Sequence, residues 1–392
     1  MSLIRPFAAA SLLSCLTWVA SPVLAQSTYS LSTLKSPNGL SLSAQNGWGI
    51  DNQNAVYSIA YWTVGFNLNP FGLVPWGPSS KLFLTRWPAS TATSVSGTKL
   101  STESTSGYVS GVSPDGKKIA LGGTYFDTTT RVETILQLNG GGLDGMTNSG
   151  VGAATLRIDP PSSASWATFQ PGTWSLNSGF VALPMGSASQ GGGSAINAQG
   201  DVAGWLLEPS GMYRGALWRG GQLEALPLVA GQAHDVLALN DAGLSVVRRW
   251  ASTCTTHAAG TRQCSHGQPK YTVRQANGVE QPLEATAGLV VSRTVLGAQG
   301  VVVGRMQPPT PNDADGNNWG PSYNDNNVNA RAYIWANGSL QDLTTVAQAK
   351  GVKLPTGAVL VDAMAINAQG SIVARMLSAD KKTHTFVRLT AK

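Results

Sequence analysis

Ile196-Asn197-Ala198-Gln199-Gly200 recurs unchanged as Ile366-Asn367-Ala368-Gln369-Gly370, and this five-residue phrase decides the fold. Each copy is an apolar residue followed by a turn that opens on Asn and closes on Gly, residues that type I turns favour. Looser copies begin at five other apolar residues: Ile50, Val112, Ile158, Leu239 and Leu296. Recurrence at intervals of tens of residues predicts a repeat architecture, because each unit buries its apolar face only against its neighbours.

Each unit also carries enough strand-forming sequence for a small sheet. A short apolar or alternating segment such as Asp201–Leu206 follows the turn, so the turn and its flanks predict a β-hairpin. A second element comes next, namely an aromatic or apolar strand, a small turn and a strand ending in Leu. Its clear copies are Trp174–Pro184, Ala216–Pro227, Val273–Leu283 and Ile334–Leu343. Every unit therefore offers about four strands, as propeller blades do.

The spacing of the units predicts an all-β protein, a β-propeller. The phrases start 38 to 70 residues apart, and the shorter intervals match a blade of about 40 residues. We expect seven four-stranded blades, although the sequence also allows six. The last unit ends at Phe386–Leu389 without a closing strand, while Tyr29–Leu34 is a spare strand at the other end. We expect Tyr29–Leu34 to complete the last blade and close the ring.

These repeats resemble the HAF family of extracellular repeat proteins. Units of that family pair an apolar-Asn-x-x-Gly turn with a downstream strand named for His-Ala-Phe. The naming tripeptide survives best as His384-Thr385-Phe386 and becomes Gly215-Ala216-Leu217 and Ala332-Tyr333-Ile334 elsewhere. The resemblance implies an exported, propeller-like repeat protein and no single activity.

The start of the chain predicts export. Residues 1–25 contain Arg5, an apolar run from Phe7 to Ala20 and the small residues of Val23-Leu24-Ala25, the pattern of a cleaved signal peptide. Residues 26–392 then form one propeller domain in the periplasm or outside the cell. A rival interpretation makes Leu12–Cys15 a lipoprotein signal, with Cys15 acylated. No later stretch reaches the roughly 18 apolar residues of a membrane span.

Composition narrows the functional class. Charged residues are 12% of the chain, about half the usual share. The formal charge of +6 falls to +5 once Arg5 is removed, and no basic cluster stands out, so we expect no nucleic-acid partner. Nucleophile-elbow, zinc-protease, phosphate-loop and dinucleotide motifs are absent, which argues against an enzyme. We expect a monomer without an obligatory cofactor.

Cys254 and Cys264 are the only cysteines after the signal segment. In an exported protein, a pair this close predicts a disulfide that stiffens its loop. A metal site with His257 and His266 is the alternative, although the cysteine spacing differs from that of common zinc sites.

Three insertions lengthen units one, five and six: residues 63–80, 251–270 and 307–330. If the blades are equivalent, all three leave the same face of the ring, and loops on one face of a repeat scaffold usually carry binding. The candidate ligand-binding residues are aromatic: Phe66, Phe71, Trp76, Trp319 and Tyr323. Such rings stack on sugars or on protein partners. The alternative is that the first insertion folds down as a local plug.

The third insertion also suggests calcium. Asp313, Asp315 and Asn317 alternate as oxygen ligands of a hard cation do, although the third acid and the closing Glu of an EF-hand are missing. A solvated Asn/Asp loop is the alternative.

Other conspicuous residues predict structure rather than function. Trp174, Trp218 and Trp335 share one repeat position and predict a packing layer between blades. The strand tryptophans also predict core positions: Trp48, Trp62, Trp87, Trp205 and Trp250. His234 predicts a core or turn role, and Gly191–Gly193 predicts a linker between blades.

Two functions follow from this reasoning. The first is a non-catalytic module that binds a glycan or a cell-envelope protein on the inserted-loop face. The alternative is a polysaccharide hydrolase or lyase that uses Asp313, Asp315 and Asp325 with His257 or His266. An enzyme needs an acid and a base at one pocket, which sequence spacing does not reveal.

Overall fold

The chain is a ring of seven β-sheets around a central axis, a seven-bladed β-propeller. The computed structural model describes residues 28–37, 42–43, 47–68, 75–102, 107–160, 167–256, 262–286, 288–309 and 327–392. The predicted signal segment, with Cys15, lies outside these ranges.

The described residues form thirty strands and one helix. They are β1 (Tyr29–Lys35), β2 (Trp48–Ile50), β3 (Val56–Leu68), β4 (Pro75–Trp87), β5 (Ser94–Ser96), β6 (Thr98–Lys99), β7 (Gly111–Val112), β8 (Lys118–Ala120), β9 (Thr124–Asp127), β10 (Val132–Ile135), β11 (Gly142–Asp144), β12 (Gly152–Ile158), β13 (Thr168–Ser175), β14 (Gly179–Ala182), β15 (Gln190–Ile196), β16 (Val202–Leu207), β17 (Tyr213–Arg219), β18 (Gln222–Ala225), β19 (Gln232–Leu239), β20 (Ser245–Thr256), β21 (Arg262–His266), β22 (Lys270–Arg274), β23 (Glu280–Pro282), β24 (Val290–Leu296), β25 (Val302–Gln307), β26 (Arg331–Ala336), β27 (Ser339–Asp342), α1 (Leu343–Ala349), β28 (Val359–Ile366), β29 (Ile372–Leu377) and β30 (His384–Ala391).

Each blade has four main strands in sequence order, from innermost to outermost. Blades one to six are β2-β3-β4-β6, β7-β8-β9-β10, β11-β12-β13-β14, β15-β16-β17-β18, β19-β20-β22-β23 and β24-β25-β26-β27. In blade five, β21 pairs with the far part of β20. Blade seven has the order β28-β29-β30-β1-β5, so strands from both ends of the chain meet in it.

The N-terminal strand occupies the position that the sequence analysis assigned to it. β1 runs antiparallel to β30, with Tyr29 opposite Ala391 and Thr33 opposite Val387. Tyr29 and Leu34 are buried, and they pack into the hydrophobic clusters on either side of blade seven.

One turn joins the first and second strands in all seven blades. Its fourth residue donates its amide hydrogen to the carbonyl of its first residue, as Gly200 does to Asn197. The fourth residue has a positive φ, 83° at Gly200 and 81° at Gly370, where glycine costs least. In six blades the side chain of the first residue also caps the turn; Oδ1 of Asn197, for example, accepts the amide of Asp201 at 2.8 Å. In blade six the first residue is Gly297, which has no side chain. These contacts explain why the five-residue phrase favours a short polar residue at the start of the turn and glycine at its end.

The third copy of the phrase was wrongly placed at Ile158. In blade three the turn is Thr147–Gly150, and Oγ1 of Thr147 caps it by accepting the amide of Val151 at 3.0 Å. Ile158 instead ends β12, beyond which Asp159 forms an ion pair with Arg157. Here a threonine hydroxyl accepts the capping hydrogen bond that an Asn, Asp or Ser side chain accepts in other turns, so a pattern based on Asn, Asp or Ser did not identify it.

The turns are bonded to one another around the ring. Nδ2 of Asn240 donates to the carbonyls of Gly297 and Ala298, at 3.2 Å each, and Nδ2 of Asn367 donates to that of Asp51 at 2.8 Å. Among the described residues, six of the seven junctions carry such a bond: Asn367–Asp51, Asn52–Pro114, Asp115–Asn148, Asn197–Asn240, Asn240–Gly297 and Gln299–Ala368. We call this chain of bonds the turn belt. It ties neighbouring blades together at one end of the ring.

Each junction between blades has its own hydrophobic cluster. The predicted tryptophan layer is confirmed, since Trp174, Trp218 and Trp335 are buried in three of these clusters. They also share a register position, opposite the first residue of the second strand: Gly152, Val202 and Val302 respectively.

The helix α1 lies between blades six and seven. The side chain of Asp342 caps its N-terminus by accepting the amides of Thr344 and Thr345. Leu343, Val346 and Ala347 pack into the cluster of that junction. In the described part of the chain, no helix is long and apolar enough to cross a membrane.

Candidate binding site on the insertion face

The ring has two unlike ends. The turn face carries the seven turns between first and second strands, and the insertion face lies opposite, where second strands connect to third strands. All three predicted insertions join second to third strands, in blades one, five and six. They therefore leave the same face, because the blades share one topology.

Two of the insertions extend the sheets instead of forming irregular loops. In blade one, β3 and β4 remain paired from Thr63 opposite Ser80 to Leu68 opposite Pro75. In blade five, β20 continues beyond the blade and pairs with β21. Cys254 pairs in register with Cys264 in the backbone of that hairpin.

A row of aromatic rings crosses blades three to five on the insertion face. Phe169 and Tyr213 lie at the starts of third strands, and Trp205 lies in β16. The ring centroids of Phe169 and Trp205 are 6.4 Å apart, those of Trp205 and Tyr213 5.4 Å, and those of Tyr213 and Trp250 6.1 Å. The first three rings are half-buried, whereas Trp250 is buried. We call these four residues the aromatic row.

Glycines beneath Trp205 make room for the row. Gly191–Gly193, predicted to be a linker, belongs to the innermost strand β15, and that prediction is wrong. A Cβ atom on Gly192 would lie 2.8 Å from Nε1 of Trp205 and 2.8 Å from Oγ1 of Thr155. The bare backbone therefore allows the indole to lie across the inner strand. The core prediction is also wrong for Trp62 and Trp205, which are only half-buried, while Trp48, Trp87 and Trp250 are buried.

The aromatic row ends at an ion pair. Arg248 lies over the ring of Trp250, with Cζ 5.2 Å from the centroid. Its Nε donates to Oδ1 of Asp235 at 3.1 Å and its Nη2 donates to Oδ2, so the pairing is bidentate. Burial raises the pKa of Asp235, and Arg248 opposes that shift. Tyr271 lies beside Arg248, and burial raises the pKa of its hydroxyl to about 12.

The same repeat position carries charge in two further blades. Arg248, Arg305 and Arg375 each lie five residues after the last turn residue, opposite Asp235, Arg293 and Asp362 of the innermost strands. Nη1 of Arg293 is 3.6 Å from Oδ2 of Asp362, which joins blades six and seven. The hydroxyl of Tyr333 donates to the carbonyl of Arg293 at 3.0 Å.

The first four blades differ at that position. It holds Ile59, Leu121, Thr155 and Trp205 in blades one to four. Sequence reasoning missed this change from uncharged aliphatic residues and threonine to tryptophan and then to arginine, although aligning the seven turns would have revealed it.

His234 has a structural role, as predicted. It is fully buried; its Nδ1 accepts the amide of Gly215 at 2.9 Å, and its Nε2 lies 3.1 Å from the carbonyl of Pro227. Burial lowers its pKa to about 4. The imidazole is therefore neutral at pH 7, with both nitrogens committed to the backbone.

The sequence-predicted ligand residues are only partly placed. Phe66 belongs to β3 and Trp76 to β4, the two strands of the blade-one hairpin. The other predicted site residues lie outside the described residues: Phe71, Trp319, Tyr323, Asp313, Asp315 and Asn317. Two residues of the enzyme alternative, Asp325 and His257, also lie outside them. Within the described ranges, no three His, Cys, Asp or Glu side chains are grouped to hold a metal ion.

Comparison with known proteins supports the fold alone. No family model matches the chain, and no curated protein does. A prolyl endopeptidase structure matches with a TM-score of 0.51 and 10% identity over 94% of this chain and 52% of that chain. The chain thus spans about half the length of that endopeptidase.

Two further solved structures are similar to this chain at lower TM-scores. The β-propeller domain of Myceliophteria thermophila Cps50 (Swd1) matches with 13% identity over 85% of this chain and 99% of that chain, with a TM-score of 0.41. YCF48 bound to D1 peptide matches with 10% identity over 93% and 96% of the two chains, with a TM-score of 0.45.

Proposed function

We propose that this protein is an exported, non-catalytic binding module that holds a glycan on its insertion face. The observation that carries the proposal is the aromatic row. Three of its rings are half-buried, each ring contacts the next, and Phe169 and Tyr213 lie at the insertion-face ends of their strands. Aromatic rings with polar groups beside them are the usual means of holding a sugar ring.

The row lies between the extended hairpins. Trp250, its last member, is next to residue 251, where the hairpin of blade five begins. In this proposal the hairpins of blades one and five border the ligand, and a disulfide between Cys254 and Cys264 stiffens the nearer one. Stiffening lowers the entropy lost on binding. The protein acts as a monomer in the periplasm or outside the cell, in keeping with the resemblance to the HAF family.

The test is a glycan and polysaccharide array probed with the protein from Gln26 onward. The variants Trp205→Ala and Tyr213→Ala remove half-buried members of the row, and we expect each to lower binding at least about tenfold. Leu176→Ala is the matched control, because Leu176 is 60% exposed and lies at the turn face end of β13.

Two further variants, Trp76→Ala and Trp319→Ala, locate the ligand relative to the insertions. Loss of binding in them, but not in Trp205→Ala, would move the site from the aromatic row to the insertions. A blank array would overturn the glycan proposal in favour of a protein partner, to be sought by pull-down from the cell envelope.

A further inference from the structure

The outermost strands of blades two to six end in the same way. Each leads into a buried leucine: Leu136, Leu183, Leu226, Leu283 or Leu343. In blades two to five the amide of this leucine donates to a carbonyl in or next to the third strand, as that of Leu183 does to Pro171 at 2.9 Å. The three residues before the leucine pair with the third strand and form the outer edge of the blade. We call them the edge triplet.

Only blade three has an edge triplet without charge. It is Phe180-Val181-Ala182. The triplets of the other four blades each contain an acid, and that of blade five also ends on proline: Glu133-Thr134-Ile135, Leu223-Glu224-Ala225, Glu280-Gln281-Pro282 and Leu340-Gln341-Asp342. Charge and proline on an outer strand are the usual protection against pairing with another chain. The triplet of blade three has neither.

The absence of charge extends well beyond this triplet. No Asp, Glu, Lys, Arg or His occurs between Asp159 and Asp201, the longest such run in the chain. Apolar side chains are exposed here instead. Val181 is 48% exposed, and Leu176, in the turn before β14, is 60% exposed. The outer edge of blade three is therefore an apolar strand that meets solvent.

The backbone of this edge directs hydrogen-bonding groups outward. The amide of Leu183 faces β13, so alternation along an antiparallel strand turns the amides and carbonyls of Phe180 and Ala182 away from β13. Among the described residues, β14 is the last strand of its sheet. Outward amides and carbonyls at a sheet edge are the groups to which a further strand binds.

Blade seven shows what such an edge accepts. There β5, Ser94-Val95-Ser96, pairs in parallel with β1 as a fifth strand. Val95 is buried and packs in the same hydrophobic cluster as Leu34 of β1. The added strand is short, uncharged and apolar at its centre. A blade of this ring thus accommodates a fifth strand of that composition.

From these observations we infer that the edge triplet of blade three docks an extended, uncharged segment of a partner protein, which adds a fifth strand to the blade. The backbone of the segment bonds to Phe180 and Ala182, and an apolar side chain covers Val181. The segment carries no charge at the contact, because this part of blade three offers no ion-pair partner and an unpaired charge is costly to bury. This surface is the perimeter of the ring, whereas the aromatic row lies on the insertion face.

The experiment uses a defined peptide. The probe is a short, fluorescein-labelled, end-capped peptide that alternates serine and valine, the composition of β5. Fluorescence anisotropy measures its binding to the protein, and hydrogen exchange identifies the protected amides. We expect binding with protection of β14 and not of β18, the corresponding strand of blade four. A peptide with glutamate in place of its central valine should bind at least about tenfold more weakly.

Two variants introduce residues that other blades carry at the same place. Val181→Glu corresponds to Glu224 of blade four, and Ala182→Pro corresponds to Pro282 of blade five. Both should fold, because the ring already accepts these residues at equivalent positions, and melting curves verify it. Each should weaken peptide binding at least about tenfold, since the glutamate opposes an apolar side chain and the proline lacks the outward amide. Ala225→Pro, the same change in blade four, is the matched control and should leave binding unchanged.

The outcomes decide the inference. Absence of peptide binding, or binding that persists in both variants, would overturn it. An equal loss in Ala225→Pro would mean that the peptide binds outer strands in general, which would overturn it as well. Analytical ultracentrifugation tests a second copy of the chain as the occupant. A dimer that Val181→Glu dissociates would assign the edge to self-association and overturn the partner segment.

Discussion

At the turn face, seven copies of one turn follow each other around the ring, and hydrogen bonds among the described residues join the turns at six of the seven junctions. At the insertion face the blades diverge. Three carry insertions, and the equivalent repeat position changes from Ile59 in blade one to Trp205 in blade four and Arg248 in blade five. The blades share one turn at the turn face, where neighbouring blades are bonded to one another, and differ at the insertion face, where we propose that the ligand binds. We therefore expect substitutions at the turn face to cost stability, and those at the insertion face to cost binding.

The largest loss of stability should follow removal of β1, which joins the two ends of the ring. A protein that begins at Ser36 loses the five residue pairs with β30 and the buried side chains of Tyr29 and Leu34. Those two side chains alone contribute about 3 to 6 kcal/mol. We expect the melting temperature to fall by several degrees relative to a protein that begins at Thr28. An unchanged melting temperature would show that β1 does not close the ring.

The next largest effect should come from Arg388, which holds blade seven to blade one. Its guanidinium is fully buried and donates to the carbonyls of Asn54, Pro88 and Ser90 at 2.6, 3.0 and 2.8 Å. Arg388→Met leaves three carbonyls without this donor, which should lower the free energy of unfolding by about 3 kcal/mol. Urea denaturation measures the change. Arg157→Met, which breaks an exposed pair, is the control and should change stability by less than about 0.5 kcal/mol.

The turn belt itself is tested by Asn240→Ala. Oδ1 of Asn240 accepts the amides of Ala242 and Leu244, and its Nδ2 donates to blade six. Loss of these bonds should cost about 2 kcal/mol in urea denaturation. Asn277→Ala is a matched control, because Asn277 caps an exposed turn within blade five by accepting the amide of Val279. Equal losses of unfolding free energy in Asn240→Ala and Asn277→Ala would mean that the hydrogen bonds between blades add no stability to that of the turn cap.

The sequence predicted the seven blades because their turns favour particular residues: glycine or asparagine for the positive φ and, in six of the seven turns, a short polar side chain for the cap. It failed at Thr147, where a different residue supplies the same oxygen. It also missed the site. Asp235 and Arg248 are brought together by the register of paired strands. Arg293 of blade six contacts Asp362 of the neighbouring blade seven. The linear sequence places such partners far apart, so the charges look dispersed.

An acidic residue on the innermost strand of blade three predicts a pH effect on stability. Asp144 ends the innermost strand of blade three near the turn face, and burial raises its pKa to about 7. Above about pH 7, folding therefore partly desolvates the ionised carboxylate of the half-buried Asp144, and this cost vanishes below the unfolded pKa of about 4. Asp144→Asn should melt a few degrees above the natural protein at pH 8, and the difference should shrink as the pH falls to about 4. A difference that is constant over this range would show that Asp144 is not the titrating group.

The smallest effect on the ring should come from the hairpin of blade five. Cys254 of β20 is the register partner of Cys264 of β21, beyond the part of β20 that pairs within the blade. A disulfide there closes a short loop, worth up to about 3 kcal/mol for the hairpin itself. Global unfolding should hardly change, because the hairpin lies outside the blade. Protein recovered from the periplasm should show the bond by mass spectrometry, and Cys254→Ser/Cys264→Ser should keep the natural melting temperature within about 1 °C while the hairpin is cleaved faster by protease. Recovery of the two cysteines in reduced form would refute the disulfide. A large fall in melting temperature in the double variant would show that the hairpin contributes to the global stability of the ring.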